Sequence, residues 1–147
     1  MQKDFSEWHR LKSALQETEV PFFFFEREVW FASIGVNIGD EEDGRGERFW
    51  RPVVVFRKFT HNLFWGIPLT STVRTGSYYH QLDFNDDNST ALLLQMRPLD
   101  RKRLIRKIGT ISNEQFELLR QRIDELMPKK TEPPEISKDS SEAGAQL

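Results

Sequence analysis

Two short apolar runs, each carrying one polar group at an end, set the frame for this chain: Arg51-Pro52-Val53-Val54-Val55 and Ile67-Pro68-Leu69-Thr70-Ser71. Each reads as a strand. If the two pair as neighbours, Arg51 and Thr70 approach one another across the same sheet edge. A guanidinium beside a hydroxyl can grip a phosphate, because its fork of N–H donors matches two phosphate oxygens and its charge persists at any working pH. The plain alternative is a pair of buried strands with ordinary polar ends.

The rest of the chain surrounds these runs with short elements. Asp4 to Glu19 reads as an amphipathic helix, with Asp4 and Glu7 at capping-box spacing and Trp8, Leu11 and Leu15 on one stripe. Pro21 ends it. Phe22 to Phe25 are four consecutive aromatics, part of them for the core and the rest for a covered surface. Glu28–Ile34, Arg51–Phe59 and Leu63–Thr70 read as strands, Thr75–Phe84 as a further candidate, Asp86–Ser89 as a turn, and Ala91–Met96 as a strand buried on both faces. Asp100–Leu104 suits one helical turn and Ile105–Ile111 a last short strand. Ser112 and Gln115 have capping-box spacing for a helix running to about Met127, with Phe116, Leu119, Ile123 and Leu126 on one face.

This pattern predicts a mainly β chain with helices (α+β): a small, strongly curved barrel carrying an N-terminal and a C-terminal helix. The division expected is a helix over 1–20, the barrel with its last helix over 21–127, and a disordered tail over 128–147, rich in Lys, Glu, Ser and Pro. At 147 residues the chain suits one domain with a real core. It has no cysteine, which excludes disulfides, thiolate metal sites and a cysteine nucleophile. That composition fits a reducing cytoplasm. The N-terminus has no signal-peptide pattern and no apolar run could span a bilayer, so no membrane partner is expected.

Several groups are candidates for chemistry. The acidic run Asp40–Asp43 lacks the alternating ligands of an EF-hand and reads as a solvated loop, from which Glu41 could fold over the Arg51 edge as a general base. The stretch Arg97–Lys107 holds Arg97, Arg101, Lys102, Arg103, Arg106 and Lys107, dense for a chain of net charge −2. It suits a phosphate-tracking surface or a solvated edge. Tyr78, Tyr79 and His80 could stack bases or form an ordinary strand face. No histidine pair has metal-ligand spacing, and no Walker loop, nucleophile elbow or Rossmann fingerprint is present.

Taken in order, Arg27-Glu28-Val29-Trp30, Gly35-Val36-Asn37-Ile38-Gly39-Asp40-Glu41, Arg51-Pro52-Val53-Val54-Val55 and Ile67-Pro68-Leu69-Thr70-Ser71 form a series of motif blocks. Leu93-Leu94-Gln95-Met96-Arg97-Pro98-Leu99-Asp100, Lys102-Arg103-Leu104 and Ile108-Gly109-Thr110-Ile111-Ser112 continue it. Over residues 26 to 127 the chain resembles the MazF/PemK family of type II toxins, small endoribonucleases of toxin–antitoxin systems, in a longer PemK-like form. The resemblance implies an SH3-like barrel, a homodimer, a cognate antitoxin protein, a single-stranded RNA substrate, and cleavage without metal or other cofactor. It implies attack of a 2′-hydroxyl on phosphorus, leaving a cyclic phosphate and a 5′-hydroxyl. Carried over by residue, Arg51 would stabilise the transition state, Thr70 would hydrogen-bond the scissile phosphate, and Glu41 would act as base or loop organiser. Arg48, Ser71, Tyr79, His80, Gln95 and Arg97 would contact RNA. Two departures stand out. Some plasmid-type relatives place an acid–base arginine and aspartate where this chain has Leu92 and Leu94, so that assignment does not transfer. The loop between Gly44 and Arg51 is also longer than in short toxins, which offers Arg48 as a replacement cation. The alternative to an enzyme is a catalytically silent barrel of the same form, acting by protein binding, as a gyrase poison does, or by RNA binding alone.

Overall fold

The computed structural model of the protein describes residues 2–85 and 87–131. The chain runs through α1 (Phe5–Gln16), β1 (Glu28–Ser33), β2 (Trp50–Lys58), β3 (Leu63–Thr70), β4 (Tyr79–Phe84), β5 (Asp87–Leu92), β6 (Arg97–Asp100), β7 (Leu104–Thr110) and α2 (Asn113–Leu126). Single 3₁₀ turns, Leu93–Gln95 and Arg101–Arg103, precede β6 and β7. All strand pairs are antiparallel. The sheet order is β4-β5-β3-β2-β1-β7, and β6 joins β3 separately. One edge of β3 therefore serves two partners: Leu63–Gly66 pair with β6, and Leu69–Thr70 pair with β5.

Val53, Val54 and Val55 have no exposed surface, because the sheet is covered on both faces. Val54 packs with Val29, Ile67, Leu82 and the α2 residues Leu119 and Ile123. Val53 and Val55 point the other way, to Phe24, Trp30, Phe64, Leu99 and Leu104. This two-sided burial explains why the run is continuously apolar instead of alternating. The sheet curls until the end of β4 reaches β7. Asn85 Nδ2 donates to Ile108 O (3.4 Å), and a Cβ on Gly109 would lie 2.8 Å from the Phe84 ring. Glycine is what lets the Phe84 ring close that approach. Among the described residues no ladder joins β4 to β7, so the sheet is barrel-like without being closed.

Both helices begin at the expected caps. Asp4 accepts from Glu7 N–H (3.0 Å) and Ser112 from Gln115 N–H (3.1 Å). Helix α1 stops at Gln16, short of Glu19. Its buried Trp8 lies against Phe49, with Arg103 over its ring. Of the four consecutive phenylalanines, Phe24 is fully buried and Phe22 stacks on Trp30, while Phe23 and Phe25 are exposed.

Three expectations need correction. The strand expected over Ala91–Met96 covers only Ala91 and Leu92. The chain then leaves the ladder in a 3₁₀ turn that buries Leu93 and exposes Leu94. An apolar run carries no periodicity to separate these outcomes. The turn expected at Asp86–Ser89 lies earlier, since β5 already starts at Asp87. Asn85 takes the left-handed conformation (φ 52°), which asparagine tolerates. The strand expected from Thr75 starts at Tyr79. The tail expected over 128–147 lies outside the described residues from 132 onward.

Candidate phosphate-gripping site

The β2–β3 register pairs Val53 with Pro68, and continuing it by two residues sets Arg51 opposite Thr70. The two side chains line one cleft of about 280 Å³, together with Phe31, Arg45, Trp50, Ser71 and Ser89. Both are largely buried, Arg51 at 6% exposure and Thr70 at 9%. The Thr70 hydroxyl oxygen accepts from Thr72 N–H (3.2 Å), which fixes it at the cleft wall.

Three nitrogens of Arg51 have protein partners. Nε donates to Asp43 O (2.8 Å), Nη1 to Leu69 O (3.2 Å), and Nη2 lies 2.6 Å from Glu42 Oε1. Burial pushes the guanidinium below its ordinary value, and the charge of Glu42 opposes that shift. The carboxylate that meets Arg51 thus belongs to Glu42. Glu41 is exposed and turns back to accept from Ile38 N–H (2.8 Å).

The acidic run is an organised loop. Gln95 pins it through both amide atoms: Oε1 accepts from Glu42 N–H (3.0 Å) and Nε2 donates to Asp40 O (3.0 Å). Asp43 accepts from Asn37 N–H (2.6 Å) and pairs with Lys3 (3.0 Å), while Lys3 also donates to Asn37 O (2.6 Å). Glu41, Glu42 and Asp43 each already face a protein donor. Among the described residues no group of three or more His, Asp or Glu could hold a metal ion.

The other candidates distribute around this loop. Ser71 is exposed beside Arg51. Tyr79 lines an adjoining cleft of about 370 Å³ with Asp40, Glu42, Arg74, Tyr78 and Gln95. Arg97 lines a third, of about 520 Å³, with Asn37, Glu41, Glu42 and Gln95. These two clefts share Asp40, Glu42, Leu94 and Gln95, so they form one surface around the loop. Arg48 is exposed outside all three, and its carbonyl accepts from Ser33 Oγ (2.6 Å). His80 also lies outside them. Its Nε2 is buried, and burial together with Arg122 lowers its pKa. Leu92 is buried, whereas Leu94 stands 61% exposed on the shared cleft wall. A larger cleft, about 810 Å³ between α1 and Lys102–Arg103, shares no residue with these.

The basic stretch does not form one stripe. Arg101 donates to Phe22 O, Lys102 to Gln16 O and Arg103 to Ser33 O; Lys107 pairs with Glu28, and Arg106 lies over the Phe31 ring. Most of these cations tie chain segments together, leaving Arg97 at the cleft. Sequence reasoning missed Glu42, Arg74 and Ser89. Glu42 is adjacent to Glu41, and the turn at Ile38–Glu41 together with the Gln95 bond to Glu42 N–H decides which carboxylate faces inward.

The antiparallel, curled sheet has counterparts among known structures. MazF (Form-I) from Deinococcus radiodurans superposes with a TM-score of 0.57 at 16% identity, covering 71% of this chain and 96% of that one. The Mycobacterium tuberculosis toxin MazF-mt6 gives 0.52 at 19%, covering 67% and 94%. An endoribonuclease in complex with its cognate antitoxin from a mycobacterial species gives 0.54 at 11%, covering 73% and 99%. At such identities these likenesses show the fold. No curated protein matches the chain. Residues 26–127 match the family model described as PemK-like, MazF-like toxin of type II toxin–antitoxin system, and the chain belongs to that family.

Proposed function

We propose that this toxin is a metal-independent endoribonuclease acting on single-stranded RNA. The observation that carries the reading is the convergence of Arg51 and Thr70 on one cleft, with Glu42 on the guanidinium. The substrate 2′-oxygen attacks the adjacent phosphorus while its proton passes to Glu42. The bond from phosphorus to the 5′-oxygen breaks, that oxygen takes up a proton from solvent water, and a 2′,3′-cyclic phosphate and a 5′-hydroxyl remain. Arg51 faces the negative charge that develops on the phosphorane, a role suited to a cation that does not release its proton. Thr70 donates to a phosphate oxygen. Glu41 serves as loop organiser. Tyr79, Ser71, Gln95 and Arg97 border the path of the RNA, Gln95 by holding the loop. A cognate antitoxin would neutralise the protein by covering these clefts, and the functional unit would be a homodimer.

The test is incubation of the purified full chain with a mixed RNA pool in EDTA, followed by mapping of new ends. Cyclic-phosphate and 5′-hydroxyl ends are expected; a pool left intact overturns the reading. One observation favours a second reading: Nε, Nη1 and Nη2 of Arg51 already have partners within the protein. A silent barrel acting by contact would leave Arg51 as scaffold. Growth arrest that persists in Arg51→Lys cells with intact RNA would select it.

A further inference from the structure

We infer that Arg122 of α2 is a positioning residue that holds the substrate-reading wall of the cleft in place; this rests on the RNA-cleaving reading above. The wall is the irregular connection Ser71–Tyr78 between β3 and β4 together with Tyr79. It brings Ser71 to the Arg51 cleft, and Arg74, Tyr78 and Tyr79 to the adjoining one. A cation, Arg74, lies over the Tyr79 ring (5.8 Å), and Tyr78 is 51% exposed. Cationic and aromatic groups in this arrangement suit stacking and backbone contact with an unpaired nucleotide.

The eight-residue connection is held at its end by Leu93 N–H to Tyr78 O (3.0 Å) and by the turn bond from Tyr79 N–H to Gly76 O (3.2 Å), and further ties keep the wall in one place. Arg122 supplies two. Its Nη2 donates to Gly76 O (3.0 Å) and to Tyr79 O (2.9 Å). Gly76 sits at φ 121°, a conformation that L side chains rarely adopt, and it forms the corner the arginine grips. Gln81 adds a weaker brace, its Nε2 donating to Arg74 O and Thr90 Oγ1 (both 2.9 Å). Among the described residues Arg122 lines none of the three clefts and has no hydrogen bond or ion pair to Arg51, Thr70 or Glu42, which hang from β2, β3 and the acidic loop. Loss of Arg122 should therefore loosen recognition and leave the reacting groups in place.

The test uses the full chain with Arg122→Gln, Arg122→Lys and, as an independent brace, Gln81→Leu. Amide exchange over Thr75–Tyr79 without RNA reads the wall directly. Steady-state cleavage of a preferred and a disfavoured RNA reads its use. Arg122→Gln should speed exchange there, and if the wall is then in place about a tenth of the time, KM rises about ten-fold with kcat little changed. Discrimination between the two RNAs should shrink with it. One nitrogen makes both bonds, so the lysine ammonium should restore much of the wild-type behaviour. Gln81→Leu should move the same readouts less. Unchanged exchange overturns the inference, and so does faster exchange with unaltered KM and discrimination. Wild-type protein that cuts no RNA removes the underlying reading instead, and the two failures are distinct.

Discussion

Glu42 Oε1 lies 2.6 Å from Arg51 Nη2, while the neighbouring Glu41 turns its carboxylate to Ile38 N–H. Two adjacent residues of the same charge thus have separable tasks. Glu42→Gln keeps the loop's size and its backbone bond to Gln95 but removes the proposed proton acceptor. Its cleavage rate should fall by about 10²–10⁴-fold, the usual range for a general base. Glu41→Gln should stay within a few-fold of wild type. Paired single-turnover assays in EDTA make the comparison; equal losses would return the role to Glu41.

Arg51 belongs to the proposed site and is also a strut between segments. Arg51→Ala leaves Leu69 O, Asp43 O and Glu42 without their partner, and leaving buried polar groups unpaired costs about 1–3 kcal/mol each at most. Denaturant unfolding should show a lowered midpoint. Arg51→Lys keeps the charge but cannot reproduce the fork. It should keep more of the stability than alanine does while still losing cleavage, and that split separates grip from scaffold.

Gly35 sits at φ 81°, and a Cβ there would fall 2.1 Å from Trp8 Cε2. Gly35→Ala combines backbone strain with a ring that must move, a cost on the order of 1–3 kcal/mol. The expected result is release of α1 from the sheet, read as faster proteolysis before Glu28 and a shift in tryptophan fluorescence, with the Lys3 ties to Asp43 and Asn37 lost alongside.

His80 gives a pH signature. Burial first, and Arg122 second, lower its pKa from the ordinary histidine value near 6.5. The unfolded chain then binds the proton more readily than the folded one. The contribution to stability is present above pH about 6.5 and is lost as pH falls through the lower folded value. Melting temperature should decline over that interval, and His80→Gln should flatten the decline.

Much of this architecture was legible in the residues. Asp4 and Ser112 announced both helix starts because side-chain capping is a local interaction. Arg51 and Thr70 could be named together only on the condition that their strands pair, because continuously apolar runs carry no alternation and the register has an irregularity between Val55 and Arg57. Leu93–Met96 misled because apolar character reports burial and is silent about direction. Glu42 was hidden for a related reason. Which of two adjacent carboxylates turns inward depends on a turn closed by Glu41 N–H to Ile38 O and on Gln95, 53 residues further along. Arg122 was hidden because the partners of its Nη2 are carbonyls, which every residue has.

Lys3 ties the start of α1 to Asp43 and Asn37, on either side of the carboxylate that meets Arg51. For anyone preparing this protein, that lysine makes the amino end a poor place for a purification handle. A fusion joined just ahead of it would load the loop whose position the assay is meant to measure.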